Sequence, residues 1–192
     1  MKARLITLVL LGLLATGLAT AQHTKRAAKS EETSPVSVTR SATLRVTISS
    51  DAVSIFNYLS DPRKLELWFP NHAIIEPRLG GQYHFRWPGS DDMWSGVVTE
   101  FIRGNTLGFT WQEPKESVVT NVRIKLFPQG GETAVELSHS GLPSSDALEK
   151  AVARWRFYLE NLKSVIELGV DKRAEKPRKT THPTPARSKR TG

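Results

Sequence analysis

DALEKAVARWRFYLENLKSVIEL, residues 146–168, is the strongest helix signal in the chain and the one around which the rest must be arranged. Leu148, Val152, Trp155, Leu159, Leu162 and Ile166 recur at three- and four-residue steps, so a helix over this stretch carries one apolar stripe. Asp146 can cap its start, Glu149 completes a capping box, and Gly169 stands where a helix stops. At ~1.5 Å per residue the helix is roughly 34 Å long, enough to cross a whole curved sheet. It is the only long amphipathic helix predicted downstream of the N-terminal segment, and what precedes it reads as strands.

The spacing predicts a first strand over 36–48, in which Leu44, Val46 and Ile48 alternate with Arg45 and Thr47. Two short helices follow. Ser50 is the expected cap of the first, with Val53, Phe56 and Leu59 as its apolar face. Asp61-Pro62 restarts a second, because proline suits the first helical position, and Leu65, Trp68 and Phe69 point inward. Further strands are predicted over 73–78, 82–87, 93–102, 106–112, 117–127 and 132–138, with turns at Gly80-Gly81, Arg103-Gly104-Asn105 and 128–131. Short connections between consecutive strands imply an antiparallel sheet, so the fold class is α+β, ordered β-α-α-β-β-β-β-β-β-α.

The ends of the chain differ from this middle. Lys2 and Arg4, the apolar run 5–18 and Ala19-Thr20-Ala21 make the three parts of a secretory signal peptide over 1–21. Fourteen apolar residues are short for a membrane span of ~20, so cleavage before Gln22 is expected rather than retention as an anchor. No Arg-Arg pair precedes the run, and the chain has no cysteine for a lipid anchor. The mature protein is therefore expected to be soluble and extracytoplasmic, periplasmic or secreted, with no transmembrane span. Residues 22–35 read as a polar linker, 36–170 as one domain, and 171–192 as a disordered basic tail.

The net charge of +8 divides unevenly. Lys2 and Arg4 belong to the signal, and the tail carries eight Lys/Arg against two acids. The stretch 22–170 holds seventeen of each sign and is neutral. The high pI therefore implies no basic face on the domain, and no specific nucleic-acid binding is expected. The tail is either solvated or attached electrostatically to an anionic surface such as the envelope.

The chemistry-bearing pattern is aromatic. Tyr83, Phe85 and Trp87 share one strand face, as do Leu107, Phe109 and Trp111, while Val135, Leu137 and His139 share a third. Trp68 and Phe69 on the second short helix, and Trp155, Tyr158 and Leu159 on the long one, complete the set. These residues either fill the core or line a cleft for a small hydrophobic or amphipathic ligand. His139 can hold a polar ligand group, act as a general base, or merely hydrogen-bond at a strand end. Glu100 is a second candidate for moving a proton; it is expected on the face of Val98 and Ile102, opposite Arg123 or Lys125. No histidine pair stands at metal-ligand spacing, and GxSxG, P-loop and GxGxxG patterns are absent. No cofactor or metal is implied.

The chain resembles the SRPBCC (START-like) superfamily, in the branch related to the C-terminal domain of the heat-shock-chaperone ATPase activator. The resemblance covers about 38–169. It rests on the strand-helix-helix start, Leu44 to Trp68, and on Glu76-Pro77-Arg78-Leu79-Gly80-Gly81-Gln82-Tyr83. Trp94-Ser95-Gly96-Val97-Val98-Thr99-Glu100-Phe101 and Leu107-Gly108-Phe109-Thr110-Trp111 add to it. So do Thr133-Ala134-Val135-Glu136-Leu137-Ser138-His139-Ser140-Gly141 and Trp155-x-x-Tyr158-Leu159-x-x-Leu162-Lys163. The resemblance implies a helix-grip fold, a curved antiparallel sheet around the C-terminal helix. It also implies a hydrophobic cavity, used by relatives for lipids, hormones or polyketides and in some branches for cyclisation. An enzyme of the cyclase or isomerase type is thus an alternative to a binding protein. Members of the activator branch bind a chaperone instead, but their N-terminal chaperone-binding domain has no counterpart here, and the expected compartment lacks ATP.

Overall fold

The computed structural model describes residues 39–174, except 88 and 90, all within the unit spanning 36–192. The expected signal peptide and linker, and the tail beyond Ala174, lie outside the described residues. The element order is β1 (Arg40–Ile48), α1 (Ala52–Ser60), α2 (Pro62–Leu65), β2 (His72–Ile75), β3 (Gln82–Arg86), β4 (Trp94–Ile102), β5 (Thr106–Trp111), β6 (Thr120–Gln129), β7 (Glu132–Leu142) and α3 (Ser145–Leu168), followed by a single 3₁₀ turn at Lys172–Ala174. The seven strands form one antiparallel sheet ordered β1-β7-β6-β5-β4-β3-β2. Its first and last strands in sequence, β1 and β7, pair with each other, and α3 packs along β1 and β7. The α+β helix-grip architecture read from the sequence is the one observed.

Local details shift several expectations. Asp51, not Ser50, caps α1, its carboxylate accepting from Ser54 N at 2.9 Å and from Ser54 Oγ at 2.6 Å. The buried face is Ala52, Ile55, Phe56 and Leu59, which share one side at three- and four-residue steps, and Val53 stands outside. Asp61 and Pro62 open α2 as expected, and Leu65, Trp68 and Phe69 are buried. Ser144, not Asp146, caps α3 by accepting from Ala147 N, so the third helical position is alanine and no capping box with Glu149 forms. Gly169 closes the helix in the left-handed region at φ 68°.

Two strand differences bear on the site. A bulge between Val98 and Glu100 shifts the pairing of β4 with β5, so Val98 is buried while Glu100 and Ile102 turn outward. The shared face expected for these three residues is therefore not formed. β7 runs on to Leu142, with its turn confined to Gly130-Gly131 and Pro128 and Gln129 still in β6. His139 is thus mid-strand and 1 % exposed rather than at a strand end.

The chain after α3 is tied down where a tail was expected to begin. The Arg173 guanidinium donates to the carbonyls of Glu66 (2.8 Å), Pro70 (2.9 Å) and Phe69 (3.3 Å), which lie just past the last turn of α2. Asp171 holds that guanidinium through both carboxylate oxygens. Fully buried Asn161 completes the latch, donating to Trp68 O and Asp171 Oδ1 and accepting from Lys172 N. The Arg173 and Asn161 hydrogen bonds hold the Asp171 carboxyl down at about 2.

Candidate functional site

The structure brings the predicted aromatic residues together. Phe69 is the hub, its ring 4.9–5.5 Å from those of Trp68, Phe85, Trp87, Trp155 and Tyr158. Tyr83 stacks on Phe85 at 4.5 Å and meets Phe109 edge-on at 5.6 Å, while Trp111 meets Trp155 at 5.2 Å. Trp68, Phe69, Tyr83, Phe85, Phe109, Trp111, Leu137, His139, Trp155 and Leu159 are all buried. Trp87 and Tyr158 are half-buried, joined by a Trp87 Nε1 to Tyr158 Oη hydrogen bond of 2.7 Å.

These rings fill the space they surround. Between sheet and helix, among Phe69, Phe85, Phe109 and Trp155, a void of about 10 Å³ remains, roughly the room of one water. The cleft expected between sheet and long helix is closed by edge-to-face packing of its own walls. Close approach tightens it further. A Cβ at Gly96 would lie 2.6 Å from the Tyr83 ring and 2.5 Å from Thr110 Oγ1, so the absent side chain lets Tyr83 lie flat and donate to Thr110 O at 2.6 Å.

The roomier pocket, about 290 Å³, opens at one end of this cluster, where the first turns of α3 face the 112–119 loop and the last residues of β7. Its inner wall is Trp111, Thr120, His139, Leu142 and Ala151. Its mouth carries Glu113, Glu116, Asp146 and Lys150, with Val118 and Ala147 between them. Trp111 and His139 are the predicted site residues that border it. Thr120, Leu142 and Ala151 were not anticipated, although strand alternation with Val122, Ile124 and Leu126 puts Thr120 on the inner face.

A hydrogen-bond chain crosses the inner wall. Trp155 Nε1 on α3 donates to His139 Nδ1 on β7 at 3.0 Å. That fixes the neutral tautomer with the proton on Nε2, which donates to Thr120 Oγ1 on β6 at 2.7 Å. The Thr120 hydroxyl then donates to Trp111 O on β5 at 2.7 Å. Every polar atom in the chain has a partner, and the chain bolts the helix to three strands. A second proton on His139 would set Nδ1–H against the Trp155 N–H. Burial, helped by the positive Arg154 and opposed by Glu113, pulls the imidazole down to about 4. Arg154 itself pairs with Glu113 at 2.6 Å and lies over the rings of Trp94 and Trp111 at 5.2 and 5.7 Å.

The proton-moving candidates fare differently from the binding ones. His139 is locked neutral with both nitrogens engaged, which makes it an orienting group rather than a base near neutral pH. Glu100 is paired with Arg123 at 2.7 and 2.9 Å on the outward side of the bulge and does not border the pocket; that guanidinium lowers its carboxyl. His84 Nδ1 meets Ser95 Oγ at 2.8 Å and His72 lies 3.3 Å from Glu66. Among the described residues no three His, Cys, Asp or Glu converge as metal ligands, and no helix is long and apolar enough to cross a membrane.

Comparison with known proteins places this geometry in a family. The family model for "Activator of Hsp90 ATPase homolog 1-like protein" matches residues 50–167. No curated protein sequence matches. Among solved structures, CalU16 from Micromonospora echinospora is similar at 21% identity and TM-score 0.59, over 68% of this chain and 78% of that one. An Aha1 dimer from Colwellia psychrerythraea is similar at 22% identity and TM-score 0.59, over 68% and 98%. A conserved protein of unknown function, EF2215 from Enterococcus faecalis, is similar at 24% identity and TM-score 0.58, over 73% and 77%. Likeness at these identities speaks to the fold alone, one that commonly holds hydrophobic ligands. With more than half of its length matched by the family model and its sheet closed around α3, the chain belongs to the Activator of Hsp90 ATPase homolog 1-like family, in the SRPBCC superfamily.

Proposed function

We propose that this protein is an extracytoplasmic binding protein that holds a small hydrophobic or amphipathic molecule in the pocket at the head of α3. The observation that carries the reading is the pocket itself: about 290 Å³, at the lower end of the range for small-molecule sites, with a mainly apolar inner wall and a charged mouth. The aromatic cluster behind it is a rigid backstop rather than the binding cavity. His139 and Thr120 are preorganised by their hydrogen-bond chain and hold the wall in shape. In this reading the N-terminal segment directs export, and the basic tail draws the protein to an anionic envelope surface. Neither proton-moving candidate read from the sequence favours a cavity-based enzyme, because His139 is locked neutral and Glu100 is engaged outside the pocket.

Native mass spectrometry of the chain expressed at full length in a bacterium tests this. The expected species begins at Gln22, is recovered outside the cytoplasm and carries a small organic adduct that dissociates on collisional activation. A cytoplasmic species still beginning at Met1 would refute the export reading. An adduct-free protein that also takes up no apolar probe would refute the binding reading.

A further inference from the structure

Apolar side chains are left in water at the other end of α3. Leu168, its last residue, is the most exposed large apolar side chain among the described residues, at 73 %. Val170, just past the glycine cap, is 45 % exposed, and Leu67, just past α2, is 48 % exposed. Single exposed apolar residues are ordinary on a protein surface. These three are grouped by the latch. The carbonyls of Glu66 and Trp68, on either side of Leu67, accept from Arg173 and Asn161. Asp171, next to Val170, accepts from both of those donors. The two short segments that carry the apolar side chains are thus fixed to each other.

Charge around this foot is one-sided. Lys163 offsets Glu167, and Arg173 offsets Asp171. Within 61–70 and 164–174 that leaves Arg63, Lys64 and Lys172 against Asp61 and Glu66. Both of those acids accept from backbone N–H groups, Asp61 from Arg63 and Lys64, and Glu66 from Ala73. Residues 175–192, which follow directly on the latch, add six Lys/Arg and one acid. A second copy of the same foot would meet like charge, and a soluble polyanion would leave the three apolar side chains in water. A surface that is anionic outside and hydrocarbon within suits both features.

Building on the reading above that basic residues draw the protein to an anionic envelope surface, we propose that this foot docks on an anionic phospholipid bilayer. Leu67, Leu168 and Val170 enter its interface, and Arg63, Lys64 and Lys172 meet its headgroups. The head of α3, 24 residues and roughly 36 Å away along the helix, keeps its pocket in water.

The chain has no cysteine, so one introduced thiol carries an environment-sensitive nitrobenzoxadiazole label at a chosen position. Leu67→Cys and Leu168→Cys put it on the foot. Val119→Cys, at an exposed residue beside the pocket-lining Val118, is the control. Each labelled full chain is mixed with vesicles of phosphatidylcholine, alone or with about a third phosphatidylglycerol. The apolar run 5–18 can enter either bilayer, so the readout is local to the label and compared between the two compositions. With the anionic vesicles the labels at 67 and 168 are expected to brighten and shift to the blue, and to lose that response at about 0.5 M salt. The label at 119 should stay in water. Arg63→Glu with Lys172→Glu should raise the anionic vesicle concentration needed for the response at least about 10-fold. Salt-sensitive co-sedimentation with anionic vesicles that leaves both foot labels in water overturns the proposal, while keeping the electrostatic reading of the basic residues. Foot labels in water together with equally strong binding to dextran sulfate also overturns it, in favour of a polysaccharide surface. If neutral and anionic vesicles give the same co-sedimentation and the same foot signals, the docking and the electrostatic reading fall together.

Discussion

Replacing His139 by glutamine should make the protein less sensitive to acid, and the size of the effect follows from the geometry. In the folded chain the imidazole titrates at about 4, whereas in the unfolded chain it titrates near its ordinary value of 6.5. Above about pH 7 neither state holds the proton, and the Trp155–His139–Thr120 chain contributes fully. Between 6.5 and 4 the unfolded chain binds a proton that the folded chain refuses, so stability falls as the pH falls. The loss approaches about 1.4 kcal/mol per pH unit and comes to roughly 2 kcal/mol between about pH 7.5 and pH 5. Urea unfolding of the wild type and His139→Gln at both pH values isolates it, because the carboxylates titrate alike in the two proteins. The wild type should lose about 2 kcal/mol more than the variant over that interval. Equal losses would refute the buried, neutral imidazole on which the wall depends.

Three other outcomes follow from single contacts. Trp155→Phe keeps most of the ring but leaves His139 Nδ1 without its donor, and should cost about 1–3 kcal/mol by thermal or urea unfolding. Gly96→Ala drives a methyl into Tyr83 and Thr110, so it should cost about 1–3 kcal/mol and weaken the Tyr83 to Thr110 bond, read from near-ultraviolet circular dichroism and unfolding. Arg173→Ala strips the donors from the carbonyls of Glu66, Phe69 and Pro70. It should speed hydrogen exchange in residues 65–73 and the end of α3 without changing probe binding at the other end of the helix.

The elements and their order were legible in the sequence because strand alternation and the period of the long helix are strong, local signals. The aromatic set was legible too, since residues two apart on a strand must share a face, and Tyr83, Phe85, Phe109 and Trp111 do form one run of ring contacts that reaches Trp155 through Trp111. Alternation alone does not tell filled from hollow: whether Phe69 stacks into the gap depends on ring angles that only packing decides. The bulge at Val98–Glu100 reversed a face because an extra residue changes the period without any distinctive residue type at the spot. The extension of β7 to Leu142 and the Arg173 latch were hidden for a related reason. Each is held by partners more than a hundred residues away in sequence, Arg40 for the one and Glu66 for the other.

In the proposed function the pocket at the head of α3 is open to a small apolar molecule while the space between sheet and helix is not. Ala147→Trp separates the two spaces, since Ala147 is half-buried at the pocket's mouth and clear of the Phe69 cluster. Titration with 2-acetylnaphthalene, followed by the amide signals of Leu142 and Val118, should show saturable binding to the wild type and at least about a 10-fold loss in the variant, with folding unchanged. Unaltered affinity in Ala147→Trp, or shifts confined to Leu65, Ile75 and Ile124 around the inner void, would contradict it.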